Sequence, residues 1–290
     1  MGAIADTFVG TSVRLGLGRL REFKNSREFS LKTLPWWFIA LIGLFVVAAI
    51  LIFSNDVFEG IFRQLLAGVK TTLFVSAVAY TTAAVIGLVL GLIRVNEPKP
   101  NSSVFKTIIY NVATFYVEVL RGLPILVVVL AVAFVIIPQI ITFMSEDLGL
   151  AVTVRDVPGR WRAIIALSLT YSAFLSEVFR SGIQSIGRGQ TDAARSLGMT
   201  YVQVMRFVVL PQALRRVLPP LGNDVIAMIK DSSLVSIIGV RDITQIAKTS
   251  SGRSFLLMET YFIAALLYLL VTVMGSLLVR YIEQRYDFDE

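Results

Sequence analysis

The sequence predicts an all-α fold, a polytopic membrane helical bundle. Three observations carry that expectation: apolar runs of bilayer length, a composition too greasy for a soluble domain, and basic residues gathered between the runs. Of 290 residues 56% are hydrophobic and 16% charged, with a mean hydropathy of +0.75. A soluble domain sits near half apolar and about a quarter charged. The chain has neither cysteine nor histidine. That removes thiol nucleophiles, imidazole bases, disulfides and the commonest zinc ligands, so no catalytic residue and no metal site is expected. A net charge of +7 would suit nucleic acid if it formed one surface. Here it is spread in short clusters between apolar runs, the pattern of cytoplasmic loops, and no nucleic-acid partner is expected.

The elements follow in chain order. Residues 1–33 carry Arg14, Arg19, Arg21, Lys24, Arg27 and Lys32 and read as a cytoplasmic N-terminal tail. No short apolar core with a small-residue cleavage site follows, so the next run is expected to be retained. A span needs roughly twenty apolar residues. Residues 34–54 meet that, with Trp36 and Trp37 as interfacial anchors. Further spans are expected at 66–93, 105–144, 163–182, 213–240 and 256–281, followed by a short C-terminal tail at 282–290. The run 105–144 would measure about 60 Å as one helix, so "RGLP" at 121–124 should break it at Pro124. Gly87 and Gly91, four apart, mark close helix packing. The positive-inside rule puts both termini in the cytoplasm, with the 94–104 loop (Arg94, Lys99) and the segment 183–212.

That last segment contains "TDAARSLGMTYVQVMRFVVLP", residues 191–211, a polar insert between membrane spans. Thr191 can cap a first helix with Asp192 in its first turn. Gly198 suits a left-handed helix end, and Thr200 with Gln203 has the spacing of a capping box. Pro211 marks the far end. The expectation is two short helices joined at Gly198, with Ala193 and Ala194 keeping the first one slim. A solvated connector is the plain alternative.

The order Asp192-Ala193-Ala194, Gly198, then Val208, Leu210 and Pro211 resembles the cytoplasmic "EAA" loop of type-1 ABC importer permeases. "YVEVLRGLP" (116–124), "YSAFLSEVFRSGIQSIGRGQ" (171–190) and "LPQALRRVLPPLGNDVIAMIKDSSLVSIIGV" (210–240) are similar to the polar amino-acid branch of that family. The resemblance covers about residues 66–281, which it identifies as an ABC type-1 transmembrane permease domain of five spans, with one additional N-terminal span before it. The sequence departs from the family with Asp192 in place of glutamate, with the added residues 1–54, and with a long outer loop at 145–161. The resemblance implies that 191–211 is a coupling loop whose residues Asp192, Ala193, Ala194, Gly198, Leu210 and Pro211 meet a cytoplasmic ATPase. It further implies two such ATPase subunits, a second permease (identical or sister), an extracytoplasmic amino-acid-binding protein and a bacterial cytoplasmic membrane. No G-x-x-x-x-G-K-[ST] loop is present, and "GVKTT" at 68–72 is only a partial echo. No cofactor is expected on this chain; ATP and magnesium would sit on the partner.

Ionisable residues inside spans cost roughly 2.5–3.5 kcal/mol each and face a cavity or a partner. Asn223, Asp224, Lys230, Asp231 and Ser232 form a polar stripe, two turns stacking the members seven apart. Thr170, Phe174, Glu177 and Ser181 share a face, and Glu118 lies three residues from Arg121. The candidate substrate pathway is therefore Glu118, Glu177, Asn223, Asp224, Lys230, Asp231 and Ser232. Glu177, Glu118 or Asp224 would accept an amino acid's ammonium. Lys230, Arg121 or free backbone N–H groups would take its carboxylate. Glu118 and Arg121 are expected to neutralise each other instead. Three alternatives stand beside the importer: an ion-gradient-driven secondary transporter, a membrane anchor for a cytoplasmic partner, and the same fold carrying another small solute.

Overall fold

The computed structural model describes residues 36–286, without the side chains of Trp37, Arg285 and Tyr286. The tail at 1–33 and the last residues of the 282–290 tail lie outside the described residues. The chain divides into two compact units, Met1–Leu51 and Ile52–Glu290. Most of α1 (Trp36–Ser54) belongs to the first, and it carries no charged side chain.

In the second unit α2 (Asp56–Val95) begins ten residues earlier than the hydropathy suggests. Asn55 explains the start: its side chain accepts from the Val57 N–H at 2.9 Å, and Asp56 and Glu59 complement the helix dipole. The added turns bury Ile61 and Leu65 against Ile243, Ile246, Ile263 and Leu267. Hydropathy does not register such an extension, because its partners lie far away in the chain.

α5 (Gly159–Gln184) is the centre of the bundle and packs most extensively on α2. Small residues permit this. A Cβ at Gly87 would lie 2.9 Å from the Leu175 Cβ, and one at Gly91 would lie 2.9 Å from the Phe179 Cβ. The expected close packing is present, and Gly87, Gly91 and Arg94 share the face turned toward α5.

The long third run divides as expected. α3 (Val104–Gly122) and α4 (Ile125–Glu146) are separated by extended backbone at Leu123 and Pro124. α4 contains a π-helical turn, Val132–Ile136, just before Pro138. A second π turn, Met205–Val209, precedes Pro211. In both, the proline ring crowds the carbonyl four residues back, and a widened turn relieves the clash.

α8 (Leu210–Asp231) continues into a 3-10 turn, Ser232–Ile238, which ends at Gly239 with φ 79°. α9 (Ile243–Ser254) lies between the last two expected spans, and α10 (Leu257–Tyr286) completes the chain. Among the described residues α2, α4, α5 and α10 are long and apolar enough to cross a membrane. α3 and α8 are amphipathic instead: α3 buries Ala113 and Val117 while exposing Phe105, Ile108, Val112 and Phe115.

Candidate functional site

A charged cluster joins three helices inside the bundle. Arg94, near the end of α2, is only 7% exposed. Its guanidinium donates to Glu118 on α3 at 3.3 Å and to Glu177 on α5 at 3.2 Å. Glu177 also accepts from Arg180, at 3.0 Å through Nε, and lies 4.0 Å from Arg121. Arg180 in turn donates to the Gln184 side chain at 2.6 Å. Two sequence expectations are corrected here. Arg94 belongs to the buried helix face rather than a cytoplasmic loop, because Gly91 brings the α2 and α5 backbones together one turn earlier. Glu118 and Arg121 do not pair; each turns to a different helix.

The cluster holds three guanidiniums and two carboxylates. Glu177 is satisfied by Arg94 and Arg180, with Arg121 nearby. The Glu118 side chain keeps 63% of its surface exposed and Arg121 keeps 37%. Open positions of both signs thus stand three residues apart on α3.

The polar stripe on α8 divides in two. Asn223 and Lys230 are exposed, whereas Asp224 and Asp231 turn partly inward. The buried Tyr171 hydroxyl donates to Asp231 at 2.7 Å, and Tyr80 donates to the Leu221 carbonyl at 2.7 Å. Asp224 lies within electrostatic range of both tyrosines. Among the described residues neither aspartate has a cationic partner within salt-bridge distance. Ser232 is fully buried, its hydroxyl donating to the Ile229 carbonyl at 2.7 Å, so it lines no open path. Sequence reasoning missed Arg94, Arg180, Tyr80 and Tyr171 as members of these groups. The signal was available: a hydroxyl or guanidinium within an apolar helix needs a partner, and Arg180 is one turn from Glu177.

In the insert, α6 (Arg188–Ser196) starts four residues earlier than expected, with Gly187 rather than Thr191 at its cap. Thr191 is therefore inside the helix, donating to the Arg188 carbonyl at 2.7 Å, and Asp192 lies past the first turn. Gly198 has φ 80°, the left-handed end that the sequence suggested. Thr200 and Gln203 form the expected reciprocal cap, with the Thr200 N–H donating at 2.8 Å. The second helix, α7 (Tyr201–Val204), does not stop at Pro211. It passes through the π turn directly into α8, because the widened turn relieves the clash between the Pro211 ring and the carbonyl four residues back.

Ala194 faces inward, in a small core with Ile183, Ile186, Val204, Val209 and Ala213. Asp192, Ala193 and Gly198 face outward, and Leu210 and Pro211 are also exposed. Of the two alanines only Ala193 is open to a partner. Leu197 and Val202 are 84% and 70% exposed on this otherwise polar element. Asn96 donates to the Tyr201 hydroxyl at 3.0 Å, tying the insert to the end of α2, and Gln184 at the end of α5 donates to the Val95 carbonyl at 3.1 Å.

Residues 85–288 match the family described as the binding-protein-dependent transport system inner membrane component. This chain belongs to that family. It is 32% identical over 226 residues to the probable glutamine ABC transporter permease protein GlnM of Bacillus subtilis (strain 168), covering 78% of this chain and 94% of that one. Its identity to the glutamine transport system permease protein GlnP of Escherichia coli (strain K12) is 32%, over 76% of this chain and 92% of that one. The fold superposes on a crystal structure of an amino acid ABC transporter with histidines at a TM-score of 0.63, with 34% identity over 77% of this chain and 94% of that one. An inward-facing MetNI methionine transporter shares the fold at a TM-score of 0.60 and 20% identity. This inner membrane component is thus an all-α, multi-pass transport protein, as the sequence led us to expect.

Proposed function

We propose that the chain is the permease subunit of an ATP-driven importer of polar amino acids. A separate pair of ATPase subunits binds ATP and magnesium, a second permease (a copy or a sister chain) completes the channel, and an extracytoplasmic binding protein delivers the amino acid. Both termini and the insert lie on the cytoplasmic side of a bacterial inner membrane. The insert is the observation that carries this reading. It is a compact element with its own small core, and it exposes Leu197 and Val202, apolar side chains that gain by being covered. Through α7 and the π turn it is continuous with α8, so force on the insert reaches a bundle helix without a flexible joint.

The transport path runs past α3 and α8. Glu118 accepts the substrate ammonium and Arg121 donates to its carboxylate, because both remain open. Glu177 holds the guanidiniums in place. Asn223 and Lys230 line the α8 side, and Asp224 and Asp231 supply negative charge behind them.

The test uses the chain co-purified with its ATPases and reconstituted with loaded binding protein. Gly198→Val forces a branched side chain into left-handed backbone. ATP turnover continues while uptake falls. Equal uptake in that variant rejects the coupling role. Uptake that persists without ATPases and collapses with an ion gradient rejects the importer in favour of a secondary transporter.

A further inference from the structure

We propose a specific site for an anionic phospholipid where the end of α2 meets the start of α3. A groove of about 370 Å³ lies there, walled by Leu92, Ile93, Phe105 and Ile109. Lys106 and Tyr110 stand on its lining, and no hydrogen bond among the described residues engages the Tyr110 hydroxyl. At Asn96 the groove adjoins a second cavity of about 700 Å³ on the insert side. Lys99, Arg188 and Arg195 line that cavity against a single carboxylate, Asp192. Glu97, on the same loop, lines neither space.

The two spaces have the shape and polarity of one amphiphile. The groove is apolar, and beside it Val104, Phe105 and Ile108 are exposed on a chain that spans a bilayer. An acyl chain fits the groove. A phosphate at the junction meets Lys106 and Lys99, whose ammonium groups have no salt-bridge partner among the described residues. Long lysine stems reach from an apolar wall to a headgroup at this depth, and basic pockets between helices select anionic headgroups. Three cations against one carboxylate favour a lipid with net negative charge over a zwitterionic one. The bound headgroup also bridges the end of α2 to α6.

Native mass spectrometry of the delipidated full chain tests the site, with phosphatidylglycerol, phosphatidylcholine and glycerol 3-phosphate as probes. Wild-type protein retains phosphatidylglycerol in preference to phosphatidylcholine. Lys99→Gln and Lys106→Gln each reduce that preference by about fivefold, and the double variant by about 25-fold. Ile109→Ser weakens both lipids alike, and Lys248→Gln, beyond this site, leaves binding unchanged. The lysine variants keep the wild-type melting midpoint, because both lysines are exposed. Equal retention of the two lipids, or an unchanged preference in the double variant, overturns the proposal. Displacement of phosphatidylglycerol by glycerol 3-phosphate assigns the site to a free phosphate and overturns it equally.

Discussion

Arg94 and Glu177, 83 positions apart in the sequence, meet at 3.2 Å between α2 and α5. The guanidinium is almost fully enclosed, and its second arm reaches Glu118 on α3. One side chain therefore ties three helices together next to the open carboxylate and guanidinium proposed for the substrate. A buried charge held this way is costly to leave alone, so its partners matter more than its own Coulomb attraction.

Glu177→Gln leaves three guanidiniums facing one carboxylate. Removing one partner of a fully buried pair costs about 3–5 kcal/mol. Glu177 keeps a quarter of its side chain exposed, so a smaller loss of about 2 kcal/mol is expected after screening. A lower melting midpoint in detergent, partly restored by the second change Arg180→Gln, is the expected result.

Glu118→Gln and Arg121→Gln act on transport instead. Each removes a hydrogen bond to a charged group, worth about 1.5–3 kcal/mol, and uptake falls about tenfold or more. The melting midpoint of Arg121→Gln changes little, because that side chain is substantially exposed, whereas Glu118→Gln also takes one carboxylate from the buried Arg94 and lowers it modestly. Binding to the isolated binding protein is unaffected. Unchanged uptake in both variants removes these residues from the path.

Gly87→Leu places side-chain atoms where the helices already touch: its Cβ would stand 2.9 Å from the Leu175 Cβ and 3.0 Å from the Ser172 carbonyl oxygen. Overpacking of this kind costs about 1–3 kcal/mol. Accumulation in membranes and the melting midpoint both drop. Gly60→Leu, with nothing within 4 Å of the added atom, is the control that leaves both unchanged.

Asp242 gives the fold a pH dependence. It is fully buried at the start of α9, where it accepts from the Gln245 N–H at 2.8 Å and the Tyr268 hydroxyl at 3.0 Å. Burial pushes its carboxyl above the ordinary value and outweighs the opposing hydrogen bonds. The folded protein therefore holds this proton more tightly than the unfolded chain. Its contribution is full below the ordinary carboxylate value and is lost as pH rises through the raised one. Asp242→Asn keeps the helix cap, while the Tyr268 hydroxyl accepts from the amide and donates to Thr244. Melting midpoints measured across that window decline with rising pH in the wild type and less steeply in the variant.

Much of this protein was legible in local pattern. The break at Pro124 follows from the ring's missing N–H, and the Gly198 turn and the Thr200–Gln203 cap follow from backbone chemistry within a few residues. The close approach at Gly87 and Gly91 was legible for a similar reason: only hydrogen projects from those Cα atoms. The insert's start was misjudged because Gly187 and Thr191 both suit a helix start, and the inward turn of Ala194 selects between them. Pro211 was read as an end, although a π turn just before it lets the helix run on through the proline.

The sequence by itself determined an all-helical membrane chain, its family and the presence of a polar insert, since hydropathy, turn chemistry and motif spacing act over short distances. Tertiary structure alone decided which charges are engaged and which are open. Which of Glu177 and Glu118 stays the more exposed depends on Arg94 and on the closeness of two glycine-faced helices. That choice is made between residues more than twenty positions apart, where no periodicity in the chain records it.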